Sequence, residues 1–268
     1  HDGRLRARIP ARRVTGLDFA STNDLYVSEG AAFSRWEIRE AGASLTTTER
    51  AHPHAGELFD EFAFTSDHQH WVGTTMDGTR LRVGRRGSAE GVREIGQGLM
   101  HHTLCLSPDG ELALTGRYDQ PAVQVLRVAD GRRVFALENQ GAICGAFSPD
   151  GRWIATAGRR TQLWRVGDWS LVADLGGAPA VWPDQVPAFS TDGRWLAYCA
   201  GAQLVRLVTV PSGEPVADLE LPGDDAVHGL IFNPAGDQLA VTRDHGVTAV
   251  WELTALNEAL AAAGLSGL

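Results

Sequence analysis

Residues 147–166 read FSPDGRWIATAGRRTQLWRV. The stretch holds two tight turns between short apolar runs. Phe147 closes one run, and Ser148-Pro149-Asp150-Gly151 turns the chain. Proline presets φ, an aspartate can bond its own backbone, and glycine accepts positive φ. The next run, Trp153 to Ala157, has the aromatic and β-branched content of a half-buried strand. Gly158 to Thr161 turns the chain again, and Gln162 to Val166 reads as a further strand. Such a meander buries too little to stand alone, so it predicts neighbours of the same kind.

The sequence contains those neighbours. The apolar residue before the turn recurs as Phe19, Phe64, Leu106, Phe147, Phe189 and Phe232, spaced 45, 42, 41, 42 and 43 residues apart. Related turns follow at Ser107-Pro108-Asp109-Gly110, Ser190-Thr191-Asp192-Gly193 and Asn233-Pro234-Ala235-Gly236. Third strands end in Trp36-Glu37-Ile38, Trp164-Arg165-Val166 and Trp251-Glu252-Leu253. A period in the low forties with four strands per unit predicts a propeller of radially repeated sheets. The phrase Phe-Ser-Pro-Asp-Gly and the third-strand tryptophans resemble the WD-repeat family over nearly the whole chain. The family's Trp-Asp dipeptide is absent, its Asp being Glu37, Arg165 or Glu252 here. The resemblance implies one all-β propeller over residues 1–253 and a protein-binding, non-enzymatic role.

The expected fold is therefore a single β-propeller of six blades, each of four antiparallel strands, with seven blades as the alternative. Its closure is legible at the ends. In residues 1–10 Arg4, Arg6 and Arg8 alternate with Leu5, Ala7 and Ile9, a period of two. That matches fourth strands such as Arg133–Leu137 and Pro215–Leu219. The last repeat offers three strands, 227–232, 238–242 and 247–253, and no fourth. The N-terminal strand is expected to complete it, which removes a sheet edge. The first repeat, about residues 14–50, looks least regular because its turn, Ser21-Thr22-Asn23-Asp24, has no glycine. Residues 254–268 predict a short helix packed on the propeller, capped by Thr254 and stopped by Gly264.

Composition limits the function. Of 268 residues, 24 are basic and 33 acidic, a net charge of −9. That disfavours nucleic acid, whose binding rests on cations neutralising phosphates. Every basic residue is arginine, which suggests a GC-rich bacterial genome. Cys105, Cys144 and Cys199 read as small buried residues in a reducing cytosol, so a cytoplasmic location is expected. No apolar run reaches membrane-span length. The chain begins at His1 without methionine, which suggests an excised domain of a larger protein or a processed product.

Candidate chemistry is thin. Zinc needs three or four ligands converging at about 2.0–2.3 Å. His52 and His54 are expected at the opposite end of a strand from His68 and His70, while His101 and His102 alternate faces. No metal and no cofactor are expected. In the resembled family His54 would brace a blade, and Asp77 and Asp244 would bond backbone amides. Asp109, Asp150 and Asp192 read as turn formers. No phosphate-cradling loop, serine elbow or Cys–His pairing occurs, so no catalytic residue is assigned.

The arginines carry the functional expectation. Arg117, Arg159, Arg160 and Arg243 lie where second strands lead into third strands, with Tyr118 beside the first. Arg12, Arg13 and Trp182 lie where fourth strands lead into first strands. In a propeller these connections share one face. Arg, Tyr and Trp dominate binding hot spots, and an acidic protein or peptide would complement them. The isolated domain is expected to be monomeric. A small-ligand or carbohydrate sensor at the channel is the alternative, and a propeller hydrolase a more distant one.

Overall fold

The computed structural model describes residues 14–21, 24–29, 32–41, 44–50, 59–65, 67, 69–75, 79–85, 92–97, 101–117, 123–137, 144–177, 185–221, 226–243 and 248–253. The expectations for residues 1–10, His52, His54, His68, Asp77, Asp244 and the helix at 254–268 lie outside them. Among the described residues the structure is built of antiparallel strands. The first sheet is β1 (Val14–Ser21), β2 (Asp24–Glu29), β3 (Ala32–Ala41) and β4 (Ser44–Arg50). The second is β5 (Phe59–Phe64), β6 (His70–Thr75), β7 (Arg80–Arg85) and β8 (Arg93–Gln97). The third is β9 (His101–Leu106), β10 (Leu112–Arg117), β11 (Val123–Arg127) and β12 (Arg133–Leu137). The fourth is β13 (Cys144–Phe147), β14 (Trp153–Ala157), β15 (Thr161–Arg165) and β16 (Leu171–Gly176). The fifth is β17 (Ala188–Phe189), β18 (Trp195–Gly201), β19 (Leu204–Thr209) and β20 (Pro215–Glu220). The last is β21 (Val227–Phe232), β22 (Gln238–Arg243) and β23 (Thr248–Glu252). Strands pair in chain order, giving five four-stranded sheets and one of three strands among the described residues.

The described residues fall into two compact units, one drawn from His1–Ala113 and Leu126–Arg132, the other from Leu114–Val125 and Arg133–Leu268. In the first unit the core is Val72, Leu81, Val83, Ile95, Leu106, Ala113 and Leu126. In the second, Leu196, Tyr198 and Val208 join Ala155 and Leu163, while Leu207, Leu219, Leu239 and Val241 form a neighbouring cluster. Side-chain bonds tie sheets of this unit together. Tyr198 Oη donates to Leu175 O at 2.8 Å, and Gln185 Nε2 donates to Val227 O at 2.8 Å.

The first-to-second turns explain why the repeat needs Ser-x-Asp-Gly. Ser148 Oγ donates to Asp150 Oδ1 at 2.6 Å and accepts the Trp153 amide at 3.0 Å. Asp150 Oδ1 also accepts the Arg152 amide at 3.0 Å. Gly151 sits at φ 70°, where a side chain would be strained. Ser190 and Asp192 repeat the arrangement, as do Ser107 and Asp109. In the last sheet Asn233 stands in for both groups: its Oδ1 accepts the Gln238 amide at 3.0 Å and its Nδ2 reaches Asp237.

The first sheet turns where the sequence places it: β1 ends at Ser21, which pairs with Asp24 at the start of β2, and the β1–β2 ladder has register shifts at Val14/Gly16 and Phe19/Ser21. Its third strand runs ten residues, longer than the other third strands.

Candidate functional site

The second-to-third connection of the fourth sheet contains Arg159 and Arg160, both exposed. They differ. Arg160 Nε donates to Asp174 Oδ1 at 2.7 Å, and Asp174 also accepts the Gly176 amide. Partial burial pushes the Asp174 carboxyl up, but the hydrogen bonds and charge of Arg160, with the Gly176 amide, hold it below the usual carboxylate range. Arg160 is thus partly structural. Arg159 makes no ion pair among the described residues, which leaves its guanidinium available to a partner. Arg117 ends β10 and Arg243 ends β22, so both occupy the same step of the repeat, at the exit of a second strand. Their side chains, and Arg12, Arg13, Tyr118 and Trp182, lie outside the described residues.

Several other arginines of this unit pair with aspartates, in turns or across strands. Arg165 Nη1 pairs with Asp168 at 3.2 Å and stands 5.7 Å from the Trp153 ring centre. It stands where the resembled repeats carry an aspartate. Arg152 pairs with Asp150, Arg194 pairs with Asp192, and Arg206 holds Asp218 through two bonds of 2.6 and 2.7 Å.

The third-strand Trp164 is positioned by the strand before. Trp164 Nε1 donates to Thr156 Oγ1 at 3.1 Å across the fourth sheet. In the last sheet Val241 takes the step of Thr156, and the buried Trp251 Nε1 has no acceptor among the described residues. The second sheet carries its tryptophan, Trp71, on β6 opposite Gly84 of β7. Reading third strands alone missed it. Cys144 and Cys199 are buried, Cys105 is half-buried, and Cys144 Sγ lies 3.4 Å from Gln185 O. Among the described residues no three His, Cys, Asp or Glu side chains cluster to hold a metal, and no helix is long and apolar enough to cross a membrane.

A cavity of about 140 Å³ opens in the first unit between the second and third sheets. His70, Arg85 and Arg93 rim it, over Trp71, Val83, Leu106 and Val128. No sequence pattern flagged this group, because its members sit at different steps of the repeat.

Comparison with known proteins bears on this arrangement. Residues 131–164 match the family model described as WD domain, G-beta repeat. No curated protein matches the chain. Among solved structures, hydrazine synthase of Kuenenia stuttgartiensis is similar at a TM-score of 0.57 and 15% identity, over 68% of this chain and 54% of that one. The chain thus spans about half the length of that structure, and the likeness is one of fold. The matched repeat runs from the turn before β12 through most of β15, and sheets of the same plan flank it on both sides. Residues 131–164 thus carry a repeat of the WD type, and the sheets around it share the four-stranded antiparallel plan of propeller blades.

Proposed function

We propose that the chain is a non-enzymatic interaction module that holds an acidic protein or peptide on the face carrying its second-to-third and fourth-to-first connections. WD-repeat domains generally mediate protein–protein contacts and are generally non-catalytic. The observation that carries the reading is Arg159: an exposed guanidinium on the β14–β15 hairpin, without an ion pair among the described residues, where neighbouring arginines are tied to aspartates. Arg117 and Arg243 at the same repeat step, with Arg160, Tyr118, Trp182, Arg12 and Arg13, complete the proposed surface. Its local positive charge on an acidic chain favours an acidic partner and steers encounter, whereas the net charge disfavours duplex nucleic acid. We read the module as a monomeric, cytoplasmic part of a larger bacterial signalling or effector protein.

The reading includes a six-bladed ring over residues 1–253, closed by residues 4–9 as the missing fourth strand beside β23. Two observations support closure. The last sheet has three strands among the described residues. Its row Ile231–Ala240–Val250 leaves Ile231 65% and Val250 55% exposed, whereas the matching Ala155–Leu163 and Ala197–Leu207 are fully buried. A closed ring covers both faces of every sheet.

The experiment is affinity capture with wild-type and Arg159→Glu protein in parallel, then titration of the captured partner. Arg159→Glu should leave stability within about 0.5 kcal/mol, as surface changes do. It should weaken the partner about 30-fold, or about 2 kcal/mol, as a hot-spot loss does. Arg160→Glu is the poorer probe, since it removes an ion pair and sets a carboxylate against Asp174. Undiminished affinity in Arg159→Glu would refute this surface.

A further inference from the structure

We infer that the cavity between the second and third sheets is a binding site for a carboxylate on a short, flat apolar stem. This inference is independent of the loop surface proposed above. The cavity lies at the other ends of the strands. His70 opens β6, Arg85 closes β7, Arg93 opens β8, Gly110 ends a first-to-second turn, and Val128 begins a third-to-fourth turn.

Three features point to this ligand. The first is charge. Two guanidinium groups and an imidazole line the cavity, and no carboxylate is among its lining residues, in a chain of net charge −9. Arg85 makes no ion pair among the described residues and can offer its fork of N–H donors to both oxygens of one carboxylate. The second is preorganisation. Arg93 Nη1 donates to Ala129 O at 2.6 Å, so this side chain is held at the mouth by the adjoining turn. His70 is set against Gly110: a β-carbon there would stand 3.2 Å from its Nδ1, so glycine keeps that wall thin. The third is the floor. Trp71 is 6% exposed and Leu106 7%, and with Val83 and Val128 they form an apolar bed. An anionic head at the rim with a planar body on that bed satisfies both halves. About 140 Å³ admits a group of benzoate size. Concave, mostly apolar sites with few convergent polar groups are the usual form of small-ligand sites.

The same chemistry comes from a free small acid or from the C-terminal residue of a peptide. The probes are benzoate, its neutral isostere benzamide, inorganic phosphate, and an acetylated tripeptide ending in phenylalanine as free acid and as amide. Each is titrated against the whole chain while NMR shifts of the tryptophan indole N–H groups are followed. A carboxylate probe should bind at least tenfold more tightly than its amide counterpart and than phosphate. Benzoate without the peptide acid assigns a free acid; the peptide acid without benzoate assigns a peptide end. Arg85→Gln should weaken binding about tenfold with an unchanged melting temperature, because Arg85 is exposed. Arg159→Glu should leave it unchanged. The proposal is overturned if amides bind as well as acids, if phosphate binds as well as benzoate, if Arg85→Gln has no effect, or if no probe binds at millimolar concentration.

Discussion

Trp71 and Gly84 face each other across β6 and β7, and the indole occupies the space that a side chain at Gly84 would need. A β-carbon built on Gly84 stands 2.5 Å from Trp71 Cζ2 and 2.7 Å from Nε1. In the fourth sheet the same cross-strand pair is Ile154 with Trp164, and in the last it is Leu239 with Trp251. The second sheet has moved its tryptophan one strand back along the ladder and made room with glycine. Gly84→Ala should therefore destabilise the protein by about 1–3 kcal/mol, the usual cost of overpacking. The double change Trp71→Ile with Gly84→Trp restores the fourth sheet's order and should be more stable than Gly84→Trp alone. Urea denaturation of the single and double variants measures the coupling. Additive effects would contradict a pairwise exchange.

This pair also shows where sequence reading stopped. The turns were legible because their chemistry is local: Ser148, Asp150 and Gly151 bond within five residues, and so do Ser190, Asp192 and Gly193. The repeat period then fixed the order of strands. Trp71 was not legible, because its partner lies thirteen residues away on another strand, and either strand can supply the volume. Arg160 read as a free loop cation because Asp174 reaches it across the sheet. The rim of His70, Arg85 and Arg93 was invisible for the same reason. It assembles from the ends of three strands, each of which reads as an ordinary polar strand end.

Trp169 occupies a turn position that neighbouring sheets give to glycine. Gly131 and Gly213 adopt φ 70° and 73°, and Trp169 adopts 58°. At the two glycines an added side chain would run into the preceding sheet, against Ile95 O or Leu175 Cδ2. Trp169 instead stacks on Phe135, with ring centres 5.1 Å apart and planes within 8°. The stack, worth about 0.5–1.5 kcal/mol, offsets a left-handed backbone costing about 1–2 kcal/mol. Trp169→Ala keeps the backbone cost and loses the stack, whereas Trp169→Gly loses both. The glycine variant should be the more stable of the two by about 1 kcal/mol. Calorimetry that ranks alanine above glycine would mean that the turn carries no left-handed cost.

Acid should weaken the fold through its turn aspartates. At Asp150 and Asp192 burial raises the carboxyl, but it is outweighed by hydrogen bonds from Ser148 and Arg152, and from Arg194 and Ser190. Asp168 is lowered first by the Ser170 amide, and Asp218 by the Arg206 guanidinium. All lie below the ordinary value of 3.8. The unfolded chain therefore takes up protons more readily than the folded one. This contribution is fully present above 3.8 and is lost as pH falls through the folded values. Urea midpoints should hold from pH 7 to about 5 and fall below about 4. Asp150→Asn should flatten that fall, since the amide no longer titrates. A midpoint that rises on acidification to pH 3 would contradict the assignment.

Removal of residues 1–10 should damage the last sheet before any other. β23 has β22 on one side and no described strand on the other. Val250 remains exposed at a step where Leu163 and Leu207 are fully buried, and Ile231 of the same row is exposed beside it. An open edge and an uncovered apolar face together favour aggregation and local opening. If Arg4 to Ile9 form the fourth strand, Leu5 and Ile9 point to one face, and each buried side chain contributes about 1.5–3 kcal/mol. Deletion should then speed amide exchange across Thr248–Glu252 while leaving Trp153–Ala157 protected until global unfolding. The double substitution Leu5→Asp with Ile9→Asp should do the same without shortening the chain, which separates strand loss from loss of the terminus. The converse change, Arg6→Ser, alters the charged face of that strand and should leave exchange unchanged. Equal protection of Thr248–Glu252 in all four proteins would show that the ring is not closed by this segment.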